Sequence, residues 1–71
     1  MLEKLNNQNA SKEILKTILE LYHKGKFEEI LKQKNELINI YPDSVDLYNI
    51  LGSTNLALNQ FKSAIGNFKK A

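Results

Sequence analysis

Cysteine and arginine are both missing from this 71-residue chain, proline occurs once and glycine three times. Without cysteine there is no disulfide and no thiolate metal site. A domain this short buries about 60% of the surface its unfolded chain exposes, so an unstapled one is marginally stable and often gains from pairing with a copy of itself. Arginine is the usual source of bidentate contacts to bases and phosphates, and nucleic-acid binders gather their charge into a stripe. Here the ten basic residues are all lysines, scattered from Lys4 to Lys70, and the net charge is +2. Nucleic acid is therefore not an expected partner. No apolar run approaches the ~20 residues of a membrane span, and Met1-Leu2-Glu3-Lys4-Leu5 lacks the apolar core of a signal peptide. The expected location is the cytoplasm, with no membrane partner.

Chemistry is also thinly supplied. The single histidine, His23, follows a helical stretch and has Lys24 beside it, the pattern of a solvated residue at a helix end. Glu28 and Glu29 are adjacent, so on a helix they point about 100° apart and form no shared carboxylate site. There is no glycine-rich phosphate loop and no metal-ligand spacing. Ser11, Ser44, Ser53 and Ser63 have no base near them in sequence. The chain is expected to be neither an enzyme nor a cofactor or metal carrier.

What the sequence does contain is helical periodicity. Residues 1–10 include the polar cluster Asn6-Asn7-Gln8-Asn9 and read as an extension, with Leu2 and Leu5 able to form one turn. From Ser11, a plausible N-cap, an apolar face runs through Ile14, Leu15, Ile18, Leu19, Leu21 and Tyr22. Gly25 suits the left-handed stop, so the first helix is predicted over Ser11 to Lys24. A second helix starts at Phe27 with Ile30, Leu31, Leu37 and Ile38 on one stripe. It is predicted to end near Ile40, because Tyr41 precedes Pro42. Asp43 and Ser44 are rival caps for a third helix carrying Val45, Leu47, Tyr48, Ile50, Leu51, Leu56 and Leu58. Asn59-Gln60 makes a turn, and a fourth helix places Phe61, Ala64, Ile65, Phe68 and Ala71 on one face.

These features recur at one interval. Phe27 plus 34 is Phe61, Ile30-Leu31 plus 34 is Ala64-Ile65, and Ile14 plus 34 is Tyr48. A helix–turn–helix period of 34 belongs to the tetratricopeptide repeat. The second unit carries Tyr48, two residues, Leu51-Gly52, then Ala64, three residues and Phe68, and in this it resembles that family. Phe61 and Ala71 also fit, Tyr48 stands where the family has Trp, and Asn55 stands where it has Tyr. The first unit keeps Gly25, Phe27 and Pro42 but has Ile18 and Ile30 where the family prefers small residues. Those two side chains should hold its helices apart, as in a divergent or capping repeat. A generic helical bundle also has apolar stripes; Leu51-Gly52, Ala64 and Phe68 in register set this chain apart.

The resemblance covers Ser11 to Ala71. It implies an all-α fold of antiparallel helix–turn–helix repeats in a superhelix, with a divergent repeat over 11–44 and a second, C-terminally truncated repeat over 45–71. It further implies a protein-interaction module whose first helices line a concave peptide groove. The groove positions are Lys12, Leu15, Lys16, Leu19 and Tyr22 from the first unit and Asp46, Asn49, Ser53, Leu56 and Ala57 from the second. The carboxylate-clamp pattern of one subclass is absent, since Leu15, Leu19 and Ile50 occupy its sites. Leu15, Leu19 and Tyr22 are then either covered by the N-terminal segment or a partner chain, or left as an apolar peptide groove. Arrays of this kind normally need three units, so the chain is either part of a longer array or pairs with a copy of itself. The stripe Ala64, Ile65, Phe68 and Ala71 predicts a homodimer through the fourth helix or through exchange of helical segments. The alternative function is an accessory N-terminal segment of a larger bacterial enzyme such as a transferase.

Overall fold

The computed structural model describes residues 10–71, which form five helices and no strand. These are α1 (Lys12–His23), α2 (Phe27–Lys32), α3 (Lys34–Ile40), α4 (Val45–Ala57) and α5 (Phe61–Lys70). The expected turn of helix at Leu2 and Leu5 lies outside the described residues.

Each helix start has a local cause. Ser11 caps α1, its hydroxyl accepting from the Ile14 amide at 3.2 Å. Ser44, not Asp43, caps α4, accepting from Leu47 N at 3.1 Å. Ser44 has a second task, because the Ala10 amide also donates to its hydroxyl oxygen, at 3.0 Å. Both Ala10 and Ser44 are buried, so the start of α1 is tied to the start of α4 and the two helices run side by side in the same direction.

The two helix–helix turns use the same backbone bonds, 34 residues apart. Lys24 N donates to Glu20 O, Gly25 N to Tyr22 O and Lys26 N to Leu21 O. Leu58 N donates to Thr54 O, Asn59 N to Leu56 O and Gln60 N to Asn55 O. This is a Schellman closure, with the left-handed residue at C′. That residue is Gly25 at φ 76° in one turn and Asn59 at φ 61° in the other. Glycine has no Cβ to clash there, and asparagine is among the few residues that tolerate the conformation. The helix starts are less regular: the caps Ser11 and Ser44 are 33 apart, so α4 is one residue longer than α1.

One expectation fails. The helix predicted from Phe27 to Ile40 is broken at Gln33, whose amide bonds to Ile30 O, three residues back, while Leu37 N bonds to Gln33 O. The Gln33 side-chain amide donates to Glu29 O at 3.4 Å, satisfying a carbonyl the break would orphan. The apolar stripe also lapses at this point. Its members fall at Phe27, Ile30, Leu31, Leu37 and Ile38, and the turn between holds Lys34 and Asn35, which anchor nothing in the core.

The core joins both hairpins. Ile18 of α1, Ile30 of α2, Leu37 of α3 and Leu47, Tyr48 and Leu51 of α4 form one buried cluster. Full burial of such aliphatic side chains is worth about 1.5–3 kcal/mol each. Tyr48 places its ring in this cluster and its hydroxyl on Pro42 O at 2.9 Å, which fixes the loop between α3 and α4.

The most extensive helix–helix contact is between α4 and α5. Gly52 and Ala64 are both buried there. A Cβ placed on Gly52 would lie 2.6 Å from Cε1 of Phe68, so the bare backbone of α4 is what accommodates that ring. An amide chain spans the same hairpin: Asn67 Nδ2 donates to Asn55 Oδ1 at 2.6 Å, and Asn55 Nδ2 donates to Gln60 Oε1 at 2.8 Å.

Candidate functional site

Because α1 and α4 lie in parallel, their outward faces form the two walls of a groove. Leu19 and Tyr22 from α1, and Asn49, Ile50 and Ser53 from α4, enclose about 160 Å³. The turn chemistry holds one wall in place. Schellman closure at Gly25 ends α1 just after Tyr22, and the Tyr22 ring packs edge-on against Phe27 at 5.3 Å between centroids. On the other wall Ile50 packs against the core, and its carbonyl accepts from Thr54 Oγ1 at 2.8 Å.

Four of the ten groove positions expected from the sequence thus meet in space: Leu19, Tyr22, Asn49 and Ser53. Leu15, half-buried on α1, and Leu56, exposed on α4, do not line the groove. Lys12, Lys16 and Asp46 are exposed one to two turns N-terminal to it and do not line it. Ile50 lines the groove and is absent from the candidates. Its apolar side chain on the third predicted helix, at a position the carboxylate clamp would use, is the sequence signal for it.

The groove floor is apolar. Leu19 is 41% exposed, a large share for a leucine flanked by core residues. Around this floor stand the Asn49 amide and the Ser53 hydroxyl, able to donate and accept hydrogen bonds. A volume of about 160 Å³ falls below the roughly 300–1,000 Å³ of small-molecule pockets and suits a single inserted side chain.

The positions assigned to repeat packing divide into two groups. Tyr48, Leu51, Gly52 and Ala64 are buried, and Phe27 is half-buried. Pro42 is exposed but supplies the carbonyl that Tyr48 engages. Phe61 stands 58% exposed and Phe68, despite covering Gly52, 39%. Of the proposed self-association residues, Ile65 is 56% exposed and Ala71, the C-cap of α5, is also exposed.

His23 sits exposed at the end of α1 with its ring edge-on to Tyr22 at 6.0 Å. Among the described residues no group of three or more His, Cys, Asp or Glu is placed to hold a metal ion. Nor is any helix among them long and apolar enough to cross a membrane. No family model matches the chain, and no curated protein or solved structure does either.

Proposed function

We propose that this chain is a protein-interaction module of the tetratricopeptide type, and that it holds an extended partner segment in the groove between α1 and α4. The observation that carries the reading is the pairing of Leu19 and Tyr22 with Asn49, Ile50 and Ser53 on two parallel helices whose following turns share three backbone bonds at a 34-residue interval. An apolar floor large enough for one side chain, rimmed by amide and hydroxyl groups, recognises an extended peptide by a single anchor plus main-chain hydrogen bonds. The missing carboxylate clamp is consistent with this. Leu19 and Ile50 replace charged and amide groups, so the anchor is an internal apolar side chain instead of a terminal carboxylate.

The test is a random-peptide display selection on the full chain, followed by titration of an enriched peptide in a two-dimensional amide NMR spectrum. Shifts should centre on Leu19, Tyr22, Asn49, Ile50 and Ser53. Leu19→Asp changes an exposed position and should weaken binding about tenfold or more while leaving the helical circular dichroism intact. Failure to enrich any peptide, or shifts confined to α2, α3 or α5, would contradict the proposal.

A further inference from the structure

Both sides of one helix junction are visible in this chain, once closed and once open. In the closed version, Leu47, Tyr48 and Leu51 of α4 are buried against Ile30 of α2 and Leu37 of α3. Moving back by 34 residues from Leu47, Tyr48, Leu51 and Gly52 gives Glu13, Ile14, Thr17 and Ile18. These four residues form the α1 wall of a separate cleft of about 400 Å³, completed by Gln33 and Leu37. Among the described residues nothing fills it. The other side of the junction behaves in the same way. Leu31 of α2 is half-buried against the core, whereas Ile65 of α5, 34 residues on, is 56% exposed, with Phe61, 58% exposed, one turn before it.

We propose that a second copy of this chain supplies the missing half, with Phe61 and Ile65 of α5 in one molecule seated in the α1 cleft of the next. This inference rests on the repeat reading above and goes beyond it by naming the occupant. The internal α2–α4 contact shows how such helices pack in this sequence. Charge favours the same arrangement: α5 carries Lys62, Lys69 and Lys70 and no acidic residue, while Glu13, exposed, is the one charged residue among those described that lines the cleft. Pairing α5 with α5 across a twofold axis would instead bring those lysines together, which is unfavourable. A head-to-tail contact uses two different surfaces, so one such contact leaves a free cleft and a free stripe at the ends of a dimer, which take up further copies into a larger ring or a filament.

Sedimentation equilibrium of the full chain from about 10 µM to about 1 mM reads this directly. The average mass should climb past two protomers. Thr17→Lys blocks the cleft and Ile65→Lys blocks the stripe; both positions are exposed, and each variant alone should lose association about tenfold or more. Mixed in equal amounts they retain one intact cleft and one intact stripe, and should form a heterodimer that stops at two. Glu13→Lys, checked with Thr17→Lys for native circular dichroism, gives a second way to block the cleft. A wild-type chain that stays monomeric throughout would overturn the proposal. So would Thr17→Lys and Glu13→Lys variants that both associate like wild type, or a mixture that stays monomeric. Peptide binding in the α1–α4 groove by monomeric chain would survive any of these results, because neither Thr17 nor Ile65 lines that groove.

Discussion

The two hairpins share a turn and differ in where they keep their bulk. At matching positions the first has Ile18, Ile30 and Lys34, and the second has Gly52, Ala64 and Phe68. In the first, both isoleucines are fully buried and the second helix breaks at Gln33, next to Lys34. In the second, the space left by glycine and alanine is taken by one ring, and α5 runs unbroken from Phe61 to Lys70. The same backbone closure therefore tolerates two packing solutions. One fills the interface from within, and the other brings the backbones close and covers them with an aromatic side chain. Interiors are packed to near-crystalline density, so each solution is sensitive to a different kind of substitution.

The largest effect should come from emptying the first hairpin. Ile30→Ala, at a site with no exposed surface, is expected to cost about 2–5 kcal/mol in urea denaturation. A loss under ~1 kcal/mol would mean that α1, α2 and α4 do not close around it. The caps come next. Ser44→Ala removes a buried cap together with the hydrogen bond it accepts from the Ala10 amide, for about 2 kcal/mol. Ser11→Ala removes an exposed cap and should cost about 0.5–1 kcal/mol. Equal costs would show that the Ala10–Ser44 tie contributes nothing. The turns should separate by smaller amounts still. Gly25→Ala places a Cβ at φ 76° and is expected to cost about 1–2 kcal/mol. Gly25→Asn copies the residue used at the second turn and should cost less than about half of that. Identical losses for the two variants would undo the claimed equivalence of the turns.

Much of this arrangement is readable in the sequence because helices and turns are local. The stripe from Ile14 to Tyr22, the glycine at 25 and the Tyr41-Pro42 step set boundaries that the structure reproduces within a residue or two. Three features were hidden because they depend on contacts across the chain. Ser44 wins over Asp43 as the cap of α4, since burial favours a neutral hydroxyl that also serves the distant Ala10 amide. The break at Gln33 lies inside what reads as one stripe, and the side-chain bond to Glu29 that makes it tolerable has no signal in the apolar spacing. Asn55 read as a poor match at an aromatic position, yet it is the centre of an amide chain whose partners lie 5 and 12 residues away. The candidate groove was half legible. Helical spacing put Leu19 with Tyr22 and Asn49 with Ser53, but which of the ten positions face one another depends on how α1 sits against α4.

That placement follows from how the hairpins are built, and the second hairpin depends on the approach of α5 to the bare backbone at Gly52. Glycine inside a helix is about 1 kcal/mol worse than alanine, so in isolation Gly52→Ala should stabilise α4. In the intact chain the new methyl would displace the Phe68 ring and forfeit its packing. The decisive measurement is therefore the urea stability of Gly52→Ala in two backgrounds. The account predicts that the substitution is neutral to destabilising, by up to about 1 kcal/mol, when Phe68 is present, and stabilising by about 0.5–1 kcal/mol when it is made on Phe68→Ala. The same sign and size in both backgrounds would contradict it, because the ring and the glycine would then not be in contact.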